Sequence, residues 1–119
     1  MRLLVRLVIT ALALYVAVRI VPGLGYEGGA LGMLGVALVF GLVNAFIRPV
    51  LKLLTCPLIL LTMGLFTFVL NALLLLLTGA IANALGIDFH VGGFWPALWG
   101  SIIVSVVSFI LSVFVRERD

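Results

Sequence analysis

Long apolar runs separated by short breaks of glycine, proline and charge set the pattern of this chain. The first run is Leu3 to Val21, with Thr10 inside it and Arg6 and Arg19 toward its two ends. Pro22-Gly23 closes it, since proline cannot continue a helix and glycine readily ends one. The following loop, Pro22 to Gly29, carries Glu27. The second run, Ala30 to Ile47, is rich in small residues and stops at Arg48-Pro49. The third is Leu65 to Leu85, with Asn71, Thr78 and Asn83 within it, and the loop Gly86 to Gly93 holds Asp88 and His90. The fourth is Phe94 to Val115. Each run has the roughly 20 residues that a helix needs to cross a bilayer. The pattern therefore predicts an all-α polytopic membrane protein, 1–119, with four transmembrane helices at about 3–21, 30–47, 65–85 and 94–115, arranged as two tandem hairpins.

The stretch Asn44 to Asn71 joins the hairpins, and it is too long to be one crossing. A helix from Pro49 to Leu85 would run roughly 55 Å against a hydrocarbon core of about 30 Å. Pro57 restricts Cys56 away from helix, and Thr62-Met63-Gly64 is a second weak point. A re-entrant or interfacial segment over 49–63 satisfies the length. A long, tilted, proline-kinked helix is the alternative. Irregular backbone at that depth is tolerated only where protein or trapped water covers it.

Composition strengthens the membrane reading. The 119 residues are 66% hydrophobic and 9% charged, against about 25% charged in a soluble domain. The N-terminus imitates a secretory signal, but its apolar run continues past any cleavage point to Val21, so it reads as an uncleaved span. A single cysteine, Cys56, excludes an internal disulfide and offers no zinc pattern.

The positions of the charges matter more than their sum of +3. With four spans, Arg2, Arg6, Arg48, Lys52, Arg116 and Arg118 fall on one side. The loops of the other side hold Glu27, Asp88 and His90, and only Arg19 departs from the rule. An excess of basic residues marks the cytoplasmic face. The expectation is a bacterial inner-membrane protein with both termini in the cytoplasm. Trp95 and Trp99, four residues apart near the outer end of the fourth span, suit a headgroup belt.

Small residues at helical spacing mark candidate packing faces. Gly28 and Gly32 have GxxxG spacing, and Ala37, Gly41 and Ala45 recur every four residues. Ser101, Ser105, Ser108 and Ser112 form a thin polar stripe on the fourth span. In lipid such residues allow close backbone approach and make the chain a candidate homo-oligomer.

The two halves also echo each other. Tyr26-Glu27-Gly28-Gly29 matches His90-Val91-Gly92-Gly93 at an offset of 64, and the same offset sets Gly41 against Ser105 and Asn44 against Ser108. Repeats containing an even number of spans face the same way, so their pseudo-axis lies along the membrane normal.

The blocks Gly41-Leu42-Val43-Asn44-Ala45-Phe46-Ile47-Arg48-Pro49, Leu54-Thr55-Cys56-Pro57, Leu61-Thr62-Met63-Gly64-Leu65-Phe66 and Asn71-Ala72-Leu73 together resemble the bacterial four-span family known as phage holin family 4, superfamily IV. The resemblance covers nearly the whole chain. Pro22-Gly23 keeps the family's Pro-Gly before the first outer loop, whereas Leu85-Gly86 lacks the proline before the second. The resemblance implies a small bacterial membrane protein and brings no catalytic residues with it.

Three functional classes remain. The first is a non-enzymatic protein that self-associates in the membrane, including as a holin-like pore. The short tail Arg116-Glu117-Arg118-Asp119, which has no net charge, does not favour a pore. The second is a small ion or solute channel or transporter. Proton-coupled cation antiport is disfavoured, because no span carries an Asp or Glu before the C-terminal end. The third is an envelope-stress or lipid-binding scaffold, for which Arg48 and Lys52 suit anionic headgroups. An enzyme is not expected: His90 has Asp88 nearby but no nucleophile beside it. No cofactor, metal or nucleic-acid partner is expected, and the bilayer itself is the partner. The candidate functional residues are Asn44, Arg48 and Asn71. Asn44 and Arg48 are one turn apart on one helix face, with Arg48 expected at the inner mouth, Asn44 one turn deeper, and Asn71 facing them from the third span. These polar groups either line a path or hydrogen-bond between helices.

Overall fold

The computed structural model describes residues 2–118, and for Arg116 to Arg118 the backbone alone. The tail charges named above thus lie outside the described side chains. The chain forms α1 (Arg2–Ile20), β1 (Leu24–Tyr26), α2 (Ala30–Leu61), α3 (Phe66–Ala84), β2 (Phe89–Val91) and α4 (Phe94–Arg118). All four helices are long and apolar enough to cross a membrane. The chain is therefore a four-span, all-α membrane protein. Each helix packs mainly on its two neighbours in a ring: α1 on α2 and α4, and α3 on α2 and α4.

The core is apolar and built from small and branched side chains. Ala13, Leu14 and Ala17 of α1 meet Met33, Val36 and Ala37 of α2, with Leu75 and Ala82 of α3 and Val104 of α4. A second cluster, Val39, Val43, Leu70 and Leu74, binds α2 to α3. Alanines where the helices are closest allow tight backbone approach, which drives association where lipid offers no hydrophobic gradient.

The sequence leads one to expect the second span to end at Arg48-Pro49, with a separate segment over 49–63. The helix instead continues through Pro49 and Pro57 to Leu61. The reason is the solvent. Each proline removes one amide donor, whereas unwinding a turn where lipid displaces water would strand several backbone groups at once. The break comes at the second weak point. Thr62 caps both sides: its hydroxyl donates to the Leu58 carbonyl at 2.9 Å and accepts from the Phe66 amide at 3.0 Å. Met63 takes a left-handed conformation (φ 56°), and the Gly64 amide reaches back to the Ile59 carbonyl at 2.8 Å. This is a helix-ending turn of the kind that usually has glycine where Met63 stands.

Neither strand is legible as a strand in the sequence. Leu24–Tyr26 and Phe89–Val91 pair antiparallel, with Gly25 opposite His90, and so join the α1–α2 and α3–α4 loops into one cap. Asn83 anchors this cap by donating to the carbonyls of Gly79 (2.8 Å) and Phe89 (2.6 Å). Phe89 is fully buried beneath it. α3 begins and ends 64 residues after α1, and α4 begins 64 residues after α2.

Candidate functional site

Asn44 and Arg48 lie one turn apart on α2, on the side that faces α3. The Asn44 side-chain amide donates to the Phe40 carbonyl at 2.7 Å, which fixes the orientation of the group. Its oxygen then accepts from Arg48 Nε at 3.0 Å. The other branch of the guanidinium donates to Asn71 Oδ1 on α3. The three candidate residues therefore form one connected network that spans two helices.

The arrangement suits a clamp. A guanidinium presents donors in a rigid planar fork, so one arginine can hold two acceptors in fixed geometry. Both of its partners here are neutral amides, and among the described residues the one ion pair lies elsewhere, between Asp88 and His90. The network thus sets a guanidinium between two neutral amides on facing helices. Arg48 cannot serve as an acid or base near neutral pH, because it does not lose its proton there. The chemistry open to this cluster is holding the hairpin closed and attracting anions.

Other expected positions are distributed differently. Ala37 and Ser101 are buried between helices, and Ser101 donates to the Leu98 carbonyl at 2.9 Å. Ser108 and Ser112 are half-buried. Gly41, Ala45 and Ser105 are exposed, so within one chain they pack against no helix. A side chain at Gly41 would meet nothing within 4 Å. Gly28 and Gly32 do serve close approach, but of a side chain rather than a helix. The Tyr26 hydroxyl would lie 2.2 Å from a Cβ at Gly32 and 2.6 Å from one at Gly28. That hydroxyl donates to the Gly29 carbonyl at 2.6 Å. The GxxxG spacing is thus used to seat an aromatic ring.

Asn83 is a packing residue, as polar groups in apolar spans usually are, but its bonds run to its own helix and to the following loop rather than across to another helix. An Asn one turn before a helix-ending Leu-Gly is well placed to reach the next loop. His90 and Asp88 form an exposed pair at 2.5 Å, with side chains 63% and 46% exposed.

The family model described as "Mycobacterial 4 TMS phage holin, superfamily IV" matches residues 1–110. This chain belongs to that family. An uncharacterized protein of Streptomyces coelicolor, SCO3922, is 47% identical over 121 residues, covering 98% of this chain and 97% of its own. The uncharacterized membrane protein YvlD of Bacillus subtilis is 36% identical over 81 residues, covering 68% of this chain and 66% of its own. No solved structure matches. The superfamily IV assignment agrees with the four spans, and the Asn44, Arg48 and Asn71 network lies inside the matched region.

Proposed function

We propose that this holin-family protein is a non-enzymatic, self-associating component of the bacterial inner membrane, with both termini in the cytoplasm. The observation that carries the reading is an unpaired face on α2. Leu38, Gly41, Leu42, Ala45 and Phe46 follow one another at helical spacing and are all exposed. Gly41 and Ala45 make a shallow groove there, where a second helix backbone could approach closely. Sixty-four residues on, Ser105, Val106, Phe109 and Ile110 of α4 are exposed in the same rhythm. We read the two hairpins as an internal repeat about an axis along the membrane normal, which places two equivalent faces on opposite sides of the ring. Two such faces per chain support assembly beyond a dimer.

A holin-like pore is the finer form of this proposal. Within one chain the core between the helices is apolar, and Thr78 and Ser101 are the buried polar residues among those described. Thr78 returns its hydroxyl to the Leu74 carbonyl at 2.8 Å. A conduit would therefore run between copies rather than through one. The end of α2 supports an inner-surface role for the segment after Arg48. Leu53, Leu54, Leu60 and Leu61 are all strongly exposed beyond the level of the clamp, which suits a helix lying in the bilayer's inner interface. Ion and dye flux from liposomes containing the purified protein tests the pore form. Leakage of dye-sized solutes that is lost on substituting both Gly41 and Ala45 with Leu is the expected result. A defined oligomer that passes neither ions nor dye refutes the pore and leaves self-association standing.

A further inference from the structure

A cleft of about 1210 Å³ opens between the outer halves of α1 and α2. Its wall is apolar, formed by Val8, Leu12, Met33 and Leu34, and its rim carries Arg19, Glu27, Asp88 and His90. Tyr26, seated on Gly28 and Gly32, also lines the cleft. The depth suits one leaflet. From Arg19 down to Val8 is about 16 Å of helix, and half of the hydrocarbon core is about 15 Å. The volume exceeds the roughly 300–1,000 Å³ of most small-molecule sites.

The rim charges select further. Arg19 is the one basic residue that breaks the positive-inside pattern. Its guanidinium carbon stands 5.7 Å from the centre of the Tyr15 ring, and neither Arg19 nor Glu27 takes part in an ion pair among the described residues. Asp88 is paired with His90. A rim with one available cation and one available carboxylate matches a headgroup that has both signs. A purely anionic headgroup would be drawn to Arg19 but would also meet Glu27 and Asp88. A guanidinium is well suited to phosphate oxygens, and a carboxylate accepts the N–H donors of a primary ammonium.

We propose that this cleft binds one zwitterionic phospholipid bearing a primary amine, with an acyl chain along α1 and α2, its phosphate on Arg19 and its ammonium on Glu27. The proposal rests on the four-span reading and not on self-association, so a monomeric protein would leave it intact.

The test is lipid retention by the full chain. The protein is equilibrated in mixed micelles holding equal amounts of phosphatidylethanolamine, phosphatidylcholine and phosphatidylglycerol, and bound lipid is counted by native mass spectrometry. One phosphatidylethanolamine per chain is expected, at least tenfold over phosphatidylcholine, which has no N–H donors on its nitrogen. Glu27→Gln should remove that preference while phospholipid still binds. Arg19→Gln should lower all retention about tenfold, and Arg6→Gln, at the other end of α1, should leave it unchanged. If Arg19→Gln fails to fold, Arg19→Lys takes its place and should keep the preference for phosphatidylethanolamine. Equal retention of the three lipids, preference for phosphatidylglycerol, or an Arg6→Gln effect as large as that of Arg19→Gln overturns the proposal.

Discussion

Breaking the Arg48 clamp should weaken the α2–α3 hairpin by a definite amount. Arg48 donates to Asn44 at 3.0 Å on its own helix and to Asn71 across the interface. Only the second bond joins helices, so a double-mutant cycle on Arg48 and Asn71 isolates it. Polar contacts between helices in membranes average about 0.6 kcal/mol and reach about 1.7. The charge on Arg48 and its half-buried position place this bond toward the upper part of that range. The cycle formed by Arg48→Ala, Asn71→Ala and the double variant should therefore give a coupling of about 1–1.7 kcal/mol. Arg48→Lys should retain less than half of the stabilisation, because an ammonium cannot hold both acceptors in the planar fork. Reversible unfolding in mixed micelles of rising denaturing-detergent content provides the measurement. The pair Arg48 and Asn83, at opposite ends of the bundle, serves as the reference and should be additive. A coupling below about 0.3 kcal/mol between Arg48 and Asn71, the level found for independent sites, would refute the clamp.

Three further outcomes follow from the geometry. Gly32→Val should destabilise the protein and displace the Tyr26 ring, because a Cβ at Gly32 lies 2.2 Å from the Tyr26 hydroxyl; combining it with Tyr26→Ala should recover much of the loss, as measured by thermal unfolding. Asn83→Leu removes the bond from α3 to the Phe89 carbonyl in the cap, so the amides of 87–92 should exchange hydrogen faster while those of α1 are unchanged. Met63→Gly should stabilise the turn by about 1 kcal/mol, since Met63 holds a left-handed conformation that suits glycine.

The four spans were legible because their signal is long: each is an apolar run of helical length bounded by glycine or proline. The clamp residues were legible too, because polar groups in such runs are costly and few. Their connection was only partly readable. The i, i+4 spacing puts Asn44 and Arg48 on one face, and the paired Asn71 is expected to face them, but the direct bond from Arg48 to Asn71 depends on the register between α2 and α3. That register is set by Val39, Val43, Leu70 and Leu74, whose apolar side chains are indistinguishable in sequence from their neighbours. The continuity of α2 past Pro49 is not legible, because a proline reads as a helix stop in water. Beside lipid an unwound turn is the greater cost, and the helix continues to the Met63-Gly64 turn. The strands were missed because three residues each are too few for an alternating pattern. The Gly28 and Gly32 spacing has the form of a helix-packing motif, yet within the chain its occupant is Tyr26, only a few residues away.

The measurement that bears most directly on the account is the mass of the protein–lipid particle, taken for the native chain and for the chain with Gly41→Leu and Ala45→Leu in the same nanodisc preparation. The account predicts a defined oligomer of the native chain and a shift toward the monomer in the variant, with helical content unchanged. A native chain that remains monomeric at high protein-to-lipid ratio, or an oligomer indifferent to both substitutions, would contradict it.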